Sequence, residues 1–185
     1  MKKEALVRIA DILNRNAIEW GLGGSSMLWF HGLIDRPNDI DLLVAEHDAL
    51  RTHELLSRLG TYEVLQPKEP FCTKYFTHYT ILGTEVDVMG LLGIRHAEGE
   101  YRLDWRMDAN TRVEPLEGVS VPLTPLEDWF VLYMLMPGRG GKVDLIEACL
   151  KRQGVRRDLL EAALRQPLPA EVRARVLAAI AEAGG

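Results

Sequence analysis

The sequence is short of several things, and each shortage excludes something. Only two of its 185 residues are cysteine, Cys72 and Cys149, and they form no CxxC pair. That rules out a disulfide scaffold and a cysteine zinc cluster as the organising principle. The five histidines (His31, His47, His53, His78 and His96) show no metal-ligand spacing. No apolar run approaches the ~20 residues of a membrane span. Met1-Lys2-Lys3-Glu4 leads into amphipathic sequence rather than a signal-peptide core, so a cytoplasmic protein with no membrane partner is expected. Internal repeats and low-complexity stretches are absent. Positive charge is not in excess either: 22 Lys and Arg face 27 Asp and Glu, a net charge of −5. Residues 151–185 hold seven basic and four acidic residues, which leaves the body of the chain strongly acidic. An acidic body argues against broad nucleic-acid coating and suits a protein that gathers cations. The basic tail reads as solvated helix faces, with a polyanion contact as the alternative.

What is present is an ordinary globular composition, 47% apolar, enough for a core that needs no staples. Ala5, Leu6, Ile9, Ile12, Leu13 and Ile18 recur at helical spacing and predict a helix over 3–19. A short strand over 20–22 then enters Gly23-Gly24, followed by a helix over 25–31 stopped by Gly32. A strand over 39–45 precedes a helix over 48–59, with Asp48 as its N-cap and Gly60 as its stop. Residues 62–65, 74–82 and 84–91 read as strands, the last two joined by a hairpin turn at Gly83. Residues 112–116 and 119–123 flank Glu117-Gly118, a second hairpin. The stretch from Gly93 to Arg112 reads as a loop in which Tyr101 and Trp105 stand ready to stack on a ligand. From Thr124 onward the pattern is helical, over 125–136, 143–152, 156–164 and 170–183. Thr124, Pro125 and Glu127 form the pattern of a capping box. The expected organisation is an α/β region over 1–123 with a helical region over 124–185 packed on it.

The stretch with chemical content runs from Gly23-Gly24-Ser25-Ser26 through a short helix to Arg36-Pro37-Asn38-Asp39-Ile40-Asp41. On a strand, residues i and i+2 share a face, so Asp39 and Asp41 stand side by side while Ile40 and Leu42 enter the core. Adjacent carboxylates repel and resist desolvation, and a bound divalent cation removes both costs. Oxygen ligands suit Mg²⁺ or Mn²⁺. Taken alone, the pair is better described as two solvated aspartates on an edge strand or a turn. A Gly-Gly-Ser turn opening a helix gathers backbone N–H groups, a helix dipole and a hydroxyl into an anion cradle. Taken alone, it describes an ordinary N-cap. Asp87, on the strand over 84–91, shares a face with Glu85 and Met89; it can complete a three-carboxylate site, with Glu85 as its rival.

Together these three elements resemble the nucleotidyltransferase superfamily that shares the DNA polymerase β catalytic core. The likeness is closest to the small bacterial branch of minimal nucleotidyltransferases, antibiotic-modifying enzymes and abortive-infection-type toxins. The specific motifs cover about 20–91. The resemblance implies an α/β nucleotidyltransferase fold of α+β type, a mixed β-sheet flanked by helices and followed by a C-terminal helical region. It implies a transferase that moves a nucleoside monophosphate from an NTP, ATP being the expected one, to an acceptor hydroxyl with release of pyrophosphate. Asp39, Asp41 and Asp87 would be the catalytic residues and the ligands of Mg²⁺, or Mn²⁺ in its place. Gly23, Gly24, Ser25, Ser26 and Arg36 would bind the nucleotide. The acceptor is open: a small molecule, a protein side chain or an RNA end. Relatives carry a helix lysine that contacts phosphate. The helix over 125–136 has none, with Tyr133 in the equivalent place and Lys142, Lys74 or Arg139 as substitutes. Gly138-Arg139-Gly140-Gly141-Lys142 is no P-loop, since Met136 and Val143 occupy positions that need Gly and Ser or Thr. Two other classes stay open. One is a member that binds a nucleotide or a partner protein, as in a toxin–antitoxin pair, without catalysis. The other is a glycosyltransferase that holds a nucleotide-sugar through its DxD.

Overall fold

The computed structural model describes residues 3–182; the expected end of the last helix at Ala183 falls outside them. Among the described residues there are seven α-helices, one five-stranded mixed sheet and two two-stranded sheets. In chain order the elements are α1 (Lys3–Arg15), β1 (Trp20–Gly23), α2 (Gly24–Phe30), β2 (Ile40–Val44), a 3-10 turn (Glu46–Asp48), α3 (Ala49–Leu56), β3 (Gly60–Val64), β4 (Tyr75–Ile81), β5 (Thr84–Gly90), β6 (Leu92–His96), β7 (Gly99–Leu103), β8 (Val113–Leu116), β9 (Val119–Pro122), α4 (Leu126–Leu135), α5 (Gly140–Gln153), α6 (Arg157–Leu164) and α7 (Ala170–Glu182). The chain divides into two compact units. The first holds the residues up to Pro67 with Thr73–Leu92 and Asp104–Thr124; the second holds Lys68–Cys72, Gly93–Leu103 and the stretch from Pro125. No helix among the described residues is long and apolar enough to cross a membrane.

The first unit is built on the sheet, in the order β1-β2-β5-β4-β3. Only β2 and β5 run parallel; the other neighbours are antiparallel. The hairpin expected at Gly83 forms with Leu82 and Gly83 both at positive φ, and the one at Gly118 forms with Glu117 and Gly118 both at positive φ. That backbone sense matches the right-handed twist of the strands it joins. One face of β4 and β5 is apolar and closed: Tyr79, Ile81, Val86 and Val88 are buried, and Ala49 of α3 sits against Gly90. The other face carries Asp87. Helix α1 buries Ala5, Leu6, Ile9, Ala10 and Leu13 on one stripe and leaves the opposite side to solvent.

The second unit has its own core. Helix α4 buries eight of its ten residues, so it is enclosed on all sides and the other helices gather on it. Ile146 and Leu150 of α5, Leu160 of α6 and Val176 and Ile180 of α7 meet in that core. Glu127 is buried too, and burial pushes its carboxyl up; it accepts a hydrogen bond from the Arg156 backbone N–H at 2.8 Å.

Several local expectations fail for physical reasons. Helix α1 ends at Arg15 rather than 19 because Ala17 adopts φ 51°, with Ile18 N–H bonded to Leu13 O and Ala17 N–H to Asn14 O. This is a Schellman ending with alanine where glycine is the usual signal. Asp48 does not cap α3; its carboxylate accepts the Glu19 backbone N–H at 2.8 Å. Thr124 forms no capping box; its hydroxyl donates to Leu22 O at 2.9 Å, and α4 starts with no side-chain cap bond. The expected loop over 93–112 contains two paired strands, β6 and β7. Tyr101 and Trp105 are 2% and 3% exposed, which makes them core residues rather than a stacking platform.

His31 ends α2 with its ring nitrogen 3.0 Å from the Arg112 guanidinium. Burial, and then the Arg112 charge, lower its pKa from 6.5 to about 4. Between these two values the unfolded chain binds the proton and the folded chain does not, so stability falls as pH drops through that window. We expect His31→Gln to flatten the loss of stability between about pH 6.5 and 4, measured by urea denaturation across pH.

Candidate active site

Sheet register builds the site. Gly23 of β1 stands opposite Asp41 of β2, Asp41 opposite Asp87 of β5, Asp87 opposite His78 of β4, and His78 opposite Glu63 of β3. One transverse row thus crosses all five strands. Directly opposed residues lie about 5 Å apart at Cβ, so the parallel β2–β5 pairing alone sets Asp41 beside Asp87. Asp39 lies just ahead of Ile40 and joins them. One carboxylate oxygen from each of Asp39, Asp41 and Asp87 falls within 4.8 Å of the others, and all three residues are half-buried.

Each aspartate is constrained from the chain around it. Ser25 donates its hydroxyl to Asp39 Oδ1 at 3.2 Å and accepts the Asn38 backbone N–H at 3.1 Å. Ser26 donates to Asp39 O at 2.5 Å. Both serines are buried, so the start of α2 clamps the turn into β2. Asp41 packs directly on Gly24. A Cβ there would stand 1.7 Å from Asp41 Oδ2 and 2.9 Å from Asp41 Cβ, and Gly24 has φ +56°. Glycine is therefore required at this position twice over, by contact and by backbone. Asp87 Oδ1 lies 2.7 Å from His78 Nδ1, and His78 Nε2 lies 2.6 Å from Glu85 Oε2.

The electrostatics follow. Burial pushes the Asp87 carboxyl up and the Asp39 charge adds to it, while His78 pulls it down. The bond to Asp87 raises His78 above its ordinary range, against the burial that lowers it. Three carboxylates this close repel by about 3 kcal/mol or more per ionised pair at an effective dielectric of ~20. Hard oxygens converging on one point fit a divalent cation such as Mg²⁺.

Of the residues singled out from the sequence, Asp39, Asp41, Asp87, Gly23, Gly24, Ser25 and Ser26 are gathered here. Arg36 lies on the loop between α2 and β2 and is exposed. Glu85 turns to His78. Lys74 is paired to Glu46 at 2.5 Å. In the second unit, Lys142 Nζ stands 5.0 Å from the centre of the Tyr133 ring. Sequence reasoning missed His78. A search for histidine spacing along the chain cannot find it, because its partner is set by register; the signal was its antiparallel position, nine residues from Asp87 across the Gly83 hairpin.

No protein-family model and no curated protein matches the chain. Solved structures do. A protein of Thermotoga maritima described as a nucleotidyltransferase is 25% identical, with TM-score 0.61 over 81% of this chain and 92% of that one. ANT(2")-Ia, solved in complex with adenylyl-2"-tobramycin, is 11% identical with TM-score 0.56 over 96% of this chain and 97% of its own. The lincosamide antibiotic adenylyltransferase LnuA, lincomycin-bound, is 14% identical with TM-score 0.51 over 80% of this chain and 97% of its own. The fold is that of the nucleotidyltransferases, as the motif resemblance implied.

The Gly24–Asp41 contact gives a test. Gly24→Ala should cost more than about 2 kcal/mol, the left-handed backbone contributing roughly 1–2 and the clash the rest. In an Asp41→Gly background only the backbone part should remain. Urea denaturation of the four proteins in a double-mutant cycle measures the difference.

Proposed function

We propose that the protein is a divalent-metal-dependent nucleotidyltransferase that moves a nucleoside monophosphate from an NTP to an acceptor hydroxyl and releases pyrophosphate. The observation that carries this reading is the convergence of Asp39, Asp41 and Asp87 within 4.8 Å beside the Gly-Gly-Ser turn. The nucleotidyltransferase fold of the solved neighbours supports it. The bound cations, Mg²⁺ or Mn²⁺, would lower the pKa of the attacking hydroxyl and neutralise charge on the phosphoryl and leaving oxygens.

The chain's own residues do the rest. Asp39 and Asp41 would hold the cations, and Asp87 would complete the site for the one that activates the acceptor hydroxyl, as ligand or as base. Gly23 and Gly24 let the phosphates approach the backbone, Ser25 and Ser26 set the turn that receives them, and exposed Arg36 reaches phosphate with its guanidinium. ATP is the expected donor. ANT(2")-Ia and LnuA take antibiotics, and a small hydroxyl-bearing molecule of that kind is the first acceptor to test here.

The decisive experiment incubates the protein with each α-³²P-labelled NTP and Mg²⁺ against aminoglycosides, lincosamides, proteins and total RNA. Label should pass to one acceptor class, EDTA should stop it, and Asp41→Asn should lower the rate by more than about 100-fold, beyond the loss typical of groups that only support a metal ligand. Absence of Mg²⁺-dependent nucleotide binding by calorimetry would overturn the enzyme reading.

A further inference from the structure

Two of the three aspartates are fixed by the motif that contains them: Asp39 by Ser25, Asp41 by contact with Gly24. Asp87 comes from a different strand and needs its own restraint. A carboxylate turns about its terminal torsion in a broad, two-fold well, whereas Mg²⁺ demands ligand oxygens near ideal octahedral positions. Among the described residues, the side chain that meets Asp87 from the neighbouring strand is His78, its directly opposed partner in the β4–β5 ladder.

The imidazole is held at both ends. Nδ1 lies 2.7 Å from Asp87 Oδ1 and Nε2 lies 2.6 Å from Glu85 Oε2. Glu85 and Asp87 are two apart on β5 and face the same way, so together they bracket the ring and stop its rotation. The bracket also explains why Glu85, 61% exposed at its side chain, does not join the carboxylate cluster: its oxygen is turned to the imidazole.

We propose, building on the metal-dependent reading above, that His78 is a positioning residue: it takes one oxygen of Asp87, fixes the carboxylate in a single orientation and leaves the other oxygen to the cation, with Glu85 holding the ring from its far side. The arrangement is the reverse of the common one in which a carboxylate orients a metal-bound histidine. Its consequence is that cation affinity depends on a donor at the Nδ1 position and not on the histidine side chain as such.

Two amide substitutions separate these. The side-chain nitrogen of asparagine reaches the place of Nδ1, and that of glutamine reaches the place of Nε2. His78→Asn therefore keeps the donor to Asp87, and His78→Gln keeps only the contact to Glu85. Both are polar and similar in size, so a structural role would affect them alike. Mn²⁺ binding to the full chain, read by electron paramagnetic resonance with α,β-methylene-ATP present, should be within about threefold of wild type for His78→Asn and weaker by about tenfold or more for His78→Gln. Thermal melts without metal should place both variants together. Equal Mn²⁺ affinities for the two variants would overturn the proposal, whether both match wild type or both fall. Wild type and Asp41→Asn run beside them. If wild type binds Mn²⁺ and Asp41→Asn does not, the metal reading stands whatever the His78 pair shows. If wild type does not bind, both readings fall.

Discussion

Mutual repulsion among three carboxylates is the constraint around which the first unit is arranged. Asp39, Asp41 and Asp87 offer oxygens within 4.8 Å of one another. Left to themselves they would separate by rotating outward or by taking up protons. The structure prevents the rotation at each residue by a different means. A hydroxyl holds Asp39, the bare backbone of Gly24 admits Asp41, and an imidazole faces Asp87. Behind them Ile40, Leu42, Val86 and Val88 are buried in the core. The cluster is therefore mounted on a rigid apolar sheet that cannot relax to relieve it, and strain of this kind persists only where the surroundings over-determine it.

The parallel pairing of β2 with β5 is the topological feature that makes the cluster possible. Every other neighbour in the sheet is antiparallel. Strands β2 and β5 are separated in sequence by α3, β3 and β4, so their adjacency is a long-range contact that no local propensity encodes. Its register sets Asp41 opposite Asp87 and Ile40 opposite Val86. Strand side chains alternate, so a slip by one residue would put an aspartate beside a valine and move a carboxylate into the core. The hydrophobic pattern of the two strands thus fixes the position of the acidic cluster as firmly as the carboxylates themselves do.

This bears on how much could be read before the fold was known. Asp39-x-Asp41 and Gly23-Gly24 were legible because each depends on short-range geometry: alternation along a strand and the backbone freedom of glycine. Asp87 was legible from strand alternation as one of two candidates, with Glu85 as its rival; the resemblance chose between them. His78 was missed because its role comes from a neighbouring strand. The end of α1 was missed because alanine, at Ala17, occupies the left-handed position that glycine usually marks. Thr124 and Asp48 satisfied the local rules for caps, yet tertiary acceptors and donors at Leu22 and Glu19 took their side chains instead. Strands β6 and β7 were hidden by charge: Arg95 on β6 pairs across with Glu100 on β7, Glu100 pairs along its own strand with Arg102, and these residues gave the stretch the composition of a loop.

Helix α4 carries no lysine. Of the basic side chains named as substitutes, Lys74 pairs with Glu46 and Lys142 lies over the Tyr133 ring. Arg36 is exposed on the loop that leads into Asp39. An arginine on a loop can meet a triphosphate when it arrives without sitting among the carboxylates before then. Under the nucleotidyltransferase reading proposed above, Arg36 is the basic residue whose planar guanidinium would pair with phosphate through two parallel hydrogen bonds.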